Sequence, residues 1–411
     1  MIDALRGVRV LDLTRVLAGP FGAMTLADLG AEVVKVERPD GGDDTRATGP
    51  HFVRGESAYF LAVNRGKRSV CIDLAHPEGK ATLHALAREA DVVIENFRHG
   101  VAERLGCDAT TLHAINPRLV VCGMTAFGRT GPDRDAPAFD LTLQARGGTM
   151  GLTGEPRRLP VRAGPPIGDL AGGLYAAIAI CAALVERGRT GRGSAIDLSL
   201  LDCQVALLTY AASFWLNAGV SLGPQGSAHA HAWPYQAFEA ADGPLVVAVF
   251  TDTFWPPFCR ALGREDWAKD PTLARAVDRR ARAEELLRVI EPALLDEGRD
   301  AWLARFKREG VPAEAIQSVA EVFADPQVLA RGMAQSMEHP RAGAIRVAAS
   351  PLTAAEGGEG AAPPTLDADT TEVLRAWLGW DEARVEALRA SGAVGARRKV
   401  EKQQNTHRKD R

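Results

Sequence analysis

The stretch PPIGDLAGGLYAAIAICAAL, residues 165–184, carries a single charged side chain, Asp169, ahead of an otherwise small and apolar run. A carboxylate there has two readings. Aspartate is a good helix N-cap, and Gly168-Asp169-Leu170 stands where the apolar run begins. A helix N-terminus also favours an ionised carboxylate, through the dipole and free N–H groups, and an ionised carboxylate suits covalent catalysis as a nucleophile. Gly172, Gly173, Ala176 and Ala177 leave one helix face small enough for another backbone to approach, or for plain core packing.

A second group of residues points to phosphate. The segment AEVVKVE ends in Glu37 and is followed at once by Arg38, which suits a phosphate or a solvated strand end. The helix starting near Pro20 offers its N-terminus to an anion. The dinucleotide fingerprint GxGxxG is missing, because only Gly19 and Gly22 are present, spaced GxxG, so a nicotinamide site is weakly supported. Cys71, Cys107, Cys122, Cys181, Cys203 and Cys259 are scattered without a CxxC pair, which argues against a metal site or a disulfide framework and fits a reducing cytoplasm.

The elements that must hold these residues alternate. GVRVLDL, AEVVKVE, VCIDL, DVVIENF and LVVCGMTAF read as buried strands, with helices such as GPFGAMTLADLG and PEGKATLHALAREA between them. This predicts an α/β domain with a mostly parallel sheet. A helix from about 169 to 187 leads into SAIDLSLLDCQVALL, a strand running into a helix. YQAF and LVVAVF, joined around Asp242-Gly243, read as a hairpin. Helices near 253–262, 281–294 and 298–309 complete a smaller α+β domain. Residues 335–350 are strand-like, AAEGGEGAAPP is a flexible crossing, and helices near 368–378 and 381–391 follow. The expected division is a large domain over 1–220, a small domain over 226–330, a return to the large domain over 331–395, and a disordered basic tail over 396–411. That tail carries seven Lys/Arg against two acids.

Composition sets outer limits. The chain has 411 residues, too many for one ordinary domain, with 46% hydrophobic and 25% charged residues. A net charge of −3 does not suit a nucleic-acid binder, and no run of 18 apolar residues suggests a membrane span.

Several segments together resemble the class III CoA-transferases, the formyl-CoA transferase and carnitine CoA-transferase family: GVRVLDLTRVLAGPF, LADLGAEVVKVERPDGGDDTR, YFLAVNRGKRSVCIDL, ADVVIENFRHG, NPRLVVCGMTAFGRTGP, APAFDLTLQARGG, GDLAGGLYAAIAICAAL, RTGRGSAIDLSLLD and PYQAFEAADG. The similarity runs over about residues 5–395. GDDTRATGP, GSAHAHAWPYQAF, VFADPQVLARG and MEHPRAGAIRV look most like the succinyl-CoA:glutarate CoA-transferase branch. The resemblance implies an interlaced homodimer whose chains each carry a large Rossmann-like domain, completed by the C-terminal segment, and a small domain. It implies that Asp169 attacks an acyl-CoA thioester, with CoA as substrate and no permanently bound cofactor. It maps CoA contacts onto Arg38, Ile72, Asp73, Leu74, Ala75, Asn96, Phe97, Arg98, Arg104, Phe139 and Asp140. Formyl-CoA transferases carry lysines near 75 and 137, where this chain has Ala75 and Pro137, and Phe139 stands in place of a common tyrosine.

A dicarboxylate acceptor needs a cation, for which Arg15, Arg46 and His229 are candidates. The loop Leu222–Gly226 is a candidate lid over a reactive anhydride, or an interdomain linker. Two alternatives share the nucleotide-facing arginines. An α-methylacyl-CoA racemase needs an acid/base pair, and the segment AFDLTLQ offers Phe139 where racemases carry histidine. A CoA-binding protein without turnover would have no need of Asp169.

Overall fold

In a computed structural model of the chain, residues 3–352 and 361–397 are described. The chain divides into two units. The larger comprises residues 1–147, 165–207 and 326–411; the smaller comprises 148–164 and 208–325.

The larger unit is built on six parallel strands in the spatial order Lys67–Cys71, Glu32–Glu37, Arg9–Asp12, Val92–Glu95, Val120–Thr125, Ala195–Ser199. Every neighbouring pair is parallel. Successive strand residues alternate between faces. Leu11, Val34, Val93 and Val121 pack on one side against helices Pro77–Glu89, Thr370–Leu378 and Glu382–Ala390. Val10, Val33, Val92 and Val120 pack on the other, against helices Ala18–Asp28 and Ile167–Thr190. Both faces are therefore covered, as a parallel sheet requires. The sheet reverses its order between Arg9–Asp12 and Val92–Glu95, where open α/β sheets hold ligands beyond their carboxyl ends.

The helix Ile167–Thr190 is long and apolar enough to cross a membrane by length and composition. Its small-residue face is instead buried in the core, with Ala176, Ala177, Ile180 and Ala183. It crosses helix Ala18–Asp28 at backbone distance. A Cβ on Gly173 would stand 2.6 Å from the Ala18 carbonyl oxygen, and one on Gly22 would stand 2.8 Å from the Gly173 oxygen. The small residues read from the sequence thus serve a helix crossing. Gly173→Ala is expected to force the helices apart and destabilise the fold by about 1–3 kcal/mol. Gly188→Ala in the same helix, where a Cβ meets nothing within 4 Å, is expected to stabilise slightly. Thermal unfolding of the two variants checks the contrast.

The C-terminal segment closes on the strand Lys67–Cys71. Asp369 N–H donates to the Ser69 oxygen, Gly395 N–H donates to the Cys71 oxygen, and Ile72 bridges Val394. Of the expected crossing, residues 354–360 lie outside the described residues, as do residues 398–411 of the expected tail. Arg397, placed in that tail by its composition, is instead anchored: its guanidinium meets Asp40 and Asp73, each at 2.8 Å.

The smaller unit holds a three-stranded antiparallel sheet in the order Ala313–Ala315, Gly243–Ala248, Tyr235–Ala240. The hairpin turns at Asp242-Gly243, as its sequence predicts. Trp255, Phe258, Leu286, Ile290, Trp302 and Phe306 pack into one core from helices Trp255–Ala261, Ala283–Leu295 and Arg299–Glu309. The division differs from the sequence expectation at residues 148–164 and 208–220, which group with this unit, and at 326–330, which group with the larger one. Aromatic contacts are the reason for the second: Tyr210 lies against His229 and Phe214 against His231. The loop Leu222–Gly226 is tied down within the unit, by Gly226 N–H on the Gly154 oxygen at 2.8 Å and by Arg280 on Gln225 Oε1 at 3.2 Å.

Candidate active site

Four loops leave the carboxyl ends of adjacent strands in the larger unit. They begin at Leu13, Arg38, Ile72 and Asn96. Between them they carry nine of the expected CoA and substrate residues: Arg15, Arg38, Ile72 to Ala75, Asn96, Phe97 and Arg98. The topology therefore brings together residues that are up to 83 positions apart in sequence.

The first loop is held from every side. Asn96 Oδ1 accepts the Arg15 N–H at 2.9 Å, and Asn96 Nδ2 donates to the Arg15 oxygen at 2.8 Å. Lys35 Nζ donates to the Thr14 oxygen at 2.8 Å. Asp43 Oδ1 accepts the Val16 N–H at 3.3 Å. Val16 needs that restraint, since it is a β-branched residue at φ 70°. The Arg15 guanidinium lies over the Phe97 ring, 5.3 Å from its centre.

Beneath the loop lies a buried charge network. Lys67 Nζ donates to Asp12 Oδ2 at 2.8 Å, to the Pro20 oxygen at 2.8 Å and to Asn64 Oδ1 at 2.9 Å. Lys35 Nζ pairs with Asp43 at 2.9 Å and lies 3.9 Å from Asp12. Burial would raise the Asp12 carboxyl, but Lys67 and Lys35 outweigh it and hold it at about 2. Burial brings Lys67 down to about 8 against the pull of Asp12. For Asp43, burial is outweighed by Lys35 and the carboxyl is lowered.

Asp169 lies in the first turn of the helix Ile167–Thr190, half-buried. It is not the N-cap: that position is Pro166, which makes no side-chain cap. The cap comes from a distant helix. Asp140 Oδ1 accepts the Gly168 N–H at 2.8 Å and the Asp169 N–H at 3.3 Å, while Asp140 Oδ2 accepts Gln144 Nε2 at 2.6 Å. The Asp169 carboxyl is pushed up to about 7, by burial first and by the charge of Asp140 second. Dipole and free N–H groups would have lowered it. Desolvation and a like charge win. A carboxylate so placed is more basic than usual and a better nucleophile. Tyr59 shares this field: burial first, then Asp169, Asp43 and Asp140, raise its hydroxyl and keep it a neutral donor. Neither Tyr59 nor Asp43 carried a signal in the sequence, since each depends on neighbours far along the chain.

Several expected roles are corrected. The Arg46 side chain is spent on Glu37, at 2.7 and 2.6 Å, and on the Pro364 oxygen at 3.2 Å, with its guanidinium stacked 3.7 Å over Phe60. A buried carboxylate at the end of a strand needed a counter-charge, so Arg46 is not free for substrate. His229 Nδ1 accepts the N–H groups of His231 and Ala232, both at 3.1 Å. Burial, then His231 and Arg280, lower its pKa further, so it is a neutral ring and no cation at neutral pH. The Asn96 amide is used by the Arg15 backbone, and the Ile72 side chain is core. Asp73 is held by Arg397 and by the Ala75 N–H at 2.9 Å. Arg38 is exposed but partnered by Asp44 and by the Gly42 oxygen at 2.9 Å. Arg98, Arg104 and Ala75 are exposed, Leu74 is half-buried, and Phe139 is 76% exposed. The Arg15 guanidinium has no ion-pair partner among the described residues.

Asp169 thus stands half-buried at the start of a core helix, in the same unit as the four loops at the strand ends. The model of CoA-transferase family III matches residues 5–370. The chain belongs to that family. A mouse succinyl-CoA:glutarate CoA-transferase is 39% identical over 392 residues, covering 95% of this chain and 90% of that protein. A succinate–glutarate CoA-transferase of Agrobacterium fabrum (strain C58) is 43% identical over 340 residues, covering 81% and 85%. The crystal structure of a CAIB/BAIF family protein from Brucella suis superposes with a TM-score of 0.83 at 39% identity, covering 92% of this chain and all of that one. The protein is therefore a CoA-transferase enzyme, and acyl-CoA thioesters and carboxylic acids are its class of substrate. For a family III CoA-transferase, the sheet edge and Asp169 lie in the same unit of the chain.

Proposed function

We propose that this CoA-transferase moves CoA from succinyl-CoA to a dicarboxylate of the glutarate type, through acyl intermediates on Asp169. The observation that carries the reading is the desolvated Asp169 carboxyl at the start of the core helix. An Asp169 oxygen attacks the thioester carbon of succinyl-CoA. The C–S bond breaks, leaving a succinyl-aspartyl anhydride and CoA thiolate. The thiolate attacks the aspartyl carbonyl and expels succinate, giving an aspartyl-CoA thioester. The glutarate carboxylate attacks the aspartyl carbonyl of that thioester, and its C–S bond breaks to release CoA thiolate and leave a glutaryl-aspartyl anhydride. The thiolate then attacks the glutaryl carbonyl, which frees Asp169 and glutaryl-CoA. The thioester bond energy is conserved, so no ATP is consumed. The names of the relatives support the acid pair.

Arg15 is the cation we assign to the second carboxylate of the acceptor, being half-buried and unpaired among the described residues. Arg98 and Arg104, with Arg38, supply charge for the CoA phosphates. Arg104→Ala is expected to weaken CoA binding several-fold in calorimetry, and an unchanged affinity removes Arg104 from the site. We place the enzyme in a reducing cytoplasm, a reading supported by its six free cysteines.

A homodimer fits the surface. Leu174, Tyr175, Ile178 and Val185 form an exposed apolar stripe on the helix Ile167–Thr190. The helix Thr209–Ala218 has no buried residue and exposes Tyr210, Trp215 and Leu216. A second copy is the occupant we assign to both. Light scattering is expected to give twice the chain mass.

The deciding experiment is a CoA exchange panel read by mass spectrometry, with succinyl-CoA and, separately, glutarate, malate, itaconate, mesaconate, oxalate and carnitine. Glutaryl-CoA formed without ATP supports the proposal. A faster reaction with another acid reassigns the acceptor, and no product with any acid overturns it.

A further inference from the structure

Asp140 does two things to Asp169 at once. Its Oδ1 closes the open end of the helix Ile167–Thr190 through the N–H groups of Gly168 and Asp169, at 2.8 and 3.3 Å. The local sequence offers no such cap, since Pro166 occupies the N-cap position. The same carboxylate also sets a second negative charge beside the one on Asp169. Hydrogen bonds from the Gly168 and Asp169 N–H groups and from Gln144 steady the Asp140 charge, but no cation pairs with it among the described residues. Neither carboxylate takes part in an ion pair, and the titratable groups sharing the field are Tyr59, a neutral phenol, and Asp43, another acid that is committed to Lys35. A Cβ at position 168 would meet Asp140 Oδ1 at 3.0 Å, so Gly168 is what lets the carboxylate come this close.

We infer, on the reading of Asp169 as nucleophile, that Asp140 is its positioning residue: it fixes the helix turn that carries Asp169, and its charge drives Asp169 toward the acylated state. The physical reason is a change of charge during the reaction. Free Asp169 is an anion held beside Asp140. Acylated Asp169, as anhydride or thioester, is neutral, because the attacking oxygen has given its electron pair to the new C–O bond and the thiolate or acid has left with the charge. Repulsion present before attack is therefore absent after it, which raises the free energy of the resting carboxylate more than that of the acylated enzyme. A cap built from serine or asparagine would hold the helix equally well and supply none of this repulsion. The burial-driven rise of the Asp169 carboxyl to about 7, with Asp140 as its second cause, is in line with the geometry.

The test separates the two parts. Asp140→Asn keeps an oxygen acceptor for the helix end and removes the charge; Asp140→Ala removes both. Full-length protein labelled at the aspartate side-chain carbon is titrated by carbon NMR, and the spectrum of Asp169→Asn identifies the Asp169 signal. In Asp140→Asn the Asp169 midpoint is expected to fall by about one pH unit, remaining above the ordinary aspartate value because burial is untouched. The acid limb of kcat/KM is expected to move down with it, while kcat on the plateau drops by about tenfold and KM for succinyl-CoA stays within about twofold. Asp140→Ala is expected to add a loss of thermal stability. An Asp169 midpoint that does not move in Asp140→Asn overturns the inference, whether or not Asp140→Ala folds. If the midpoint moves but Asp169→Ala still turns over, the electrostatic pairing stands and it is the nucleophile assignment that fails.

Discussion

Asp169→Ala is expected to lower CoA transfer by at least about a thousandfold, because Asp169 is the acidic residue of that helix's first turn and the neighbouring Asp140 carboxylate is engaged by the Gly168 and Asp169 N–H groups and by Gln144. Binding of CoA itself is expected to persist. The arginines assigned to its phosphates leave from other strand ends and owe nothing to residue 169. Exchange of succinyl-CoA with labelled succinate measures the loss, and calorimetry with free CoA measures the retained binding. Turnover within about tenfold of the parent enzyme overturns the covalent route. The same variant has a predicted effect on stability, with a definite sign. The folded-state value of Asp169, about 7, is above the ordinary aspartate value of 3.8. The carboxyl therefore contributes stability that is complete below pH 3.8 and is lost as pH rises through about 7. Asp169→Ala is expected to lack this decline, so its melting temperature gains on that of the parent between pH 4 and pH 7.

Asp12→Ala is the substitution expected to do most harm to the fold. It leaves the Lys67 and Lys35 ammonium groups buried with their shared counter-ion gone, which costs about 3–5 kcal/mol of unfolding free energy. The loop Leu13–Leu17 suffers as well, since Asp12 Oδ1 accepts the Thr14 N–H at 2.9 Å and also its hydroxyl. Urea denaturation measures the loss, and a change below about 1 kcal/mol overturns the role given to the network. The double variant Asp12→Asn, Lys67→Met removes one charge of each sign and is expected to recover part of the deficit. The pH dependence runs opposite to that of Asp169. The Asp12 carboxyl is held at about 2, below its ordinary value, so its stabilising contribution is present above pH 4 and lost as pH falls through about 2.

The amino-acid sequence alone determined most of what is local. Alternating apolar runs marked the strands Arg9–Asp12, Glu32–Glu37, Val92–Glu95 and Val120–Thr125, because a buried parallel strand needs a short unbroken apolar segment. The small-residue pattern after Asp169 marked the core helix, and Asp242-Gly243 marked the hairpin. Its motifs, taken together, carried the family. What the tertiary structure decided is the partner of each charged group. Asp12 faces Lys35 because the strands align Asp12 with Lys35, and it meets Lys67, 55 residues on, because a third strand joins the same sheet. Arg46 and His229 were plausible substrate cations until Glu37 and two backbone N–H groups proved to occupy them. Asp140 caps a helix that begins 27 residues after it, in place of the local cap the sequence suggested at Asp169. Periodicity and capping preferences report on neighbours in the chain. Desolvation and charge pairing report on neighbours in space, and it is these that set how Asp169 can react.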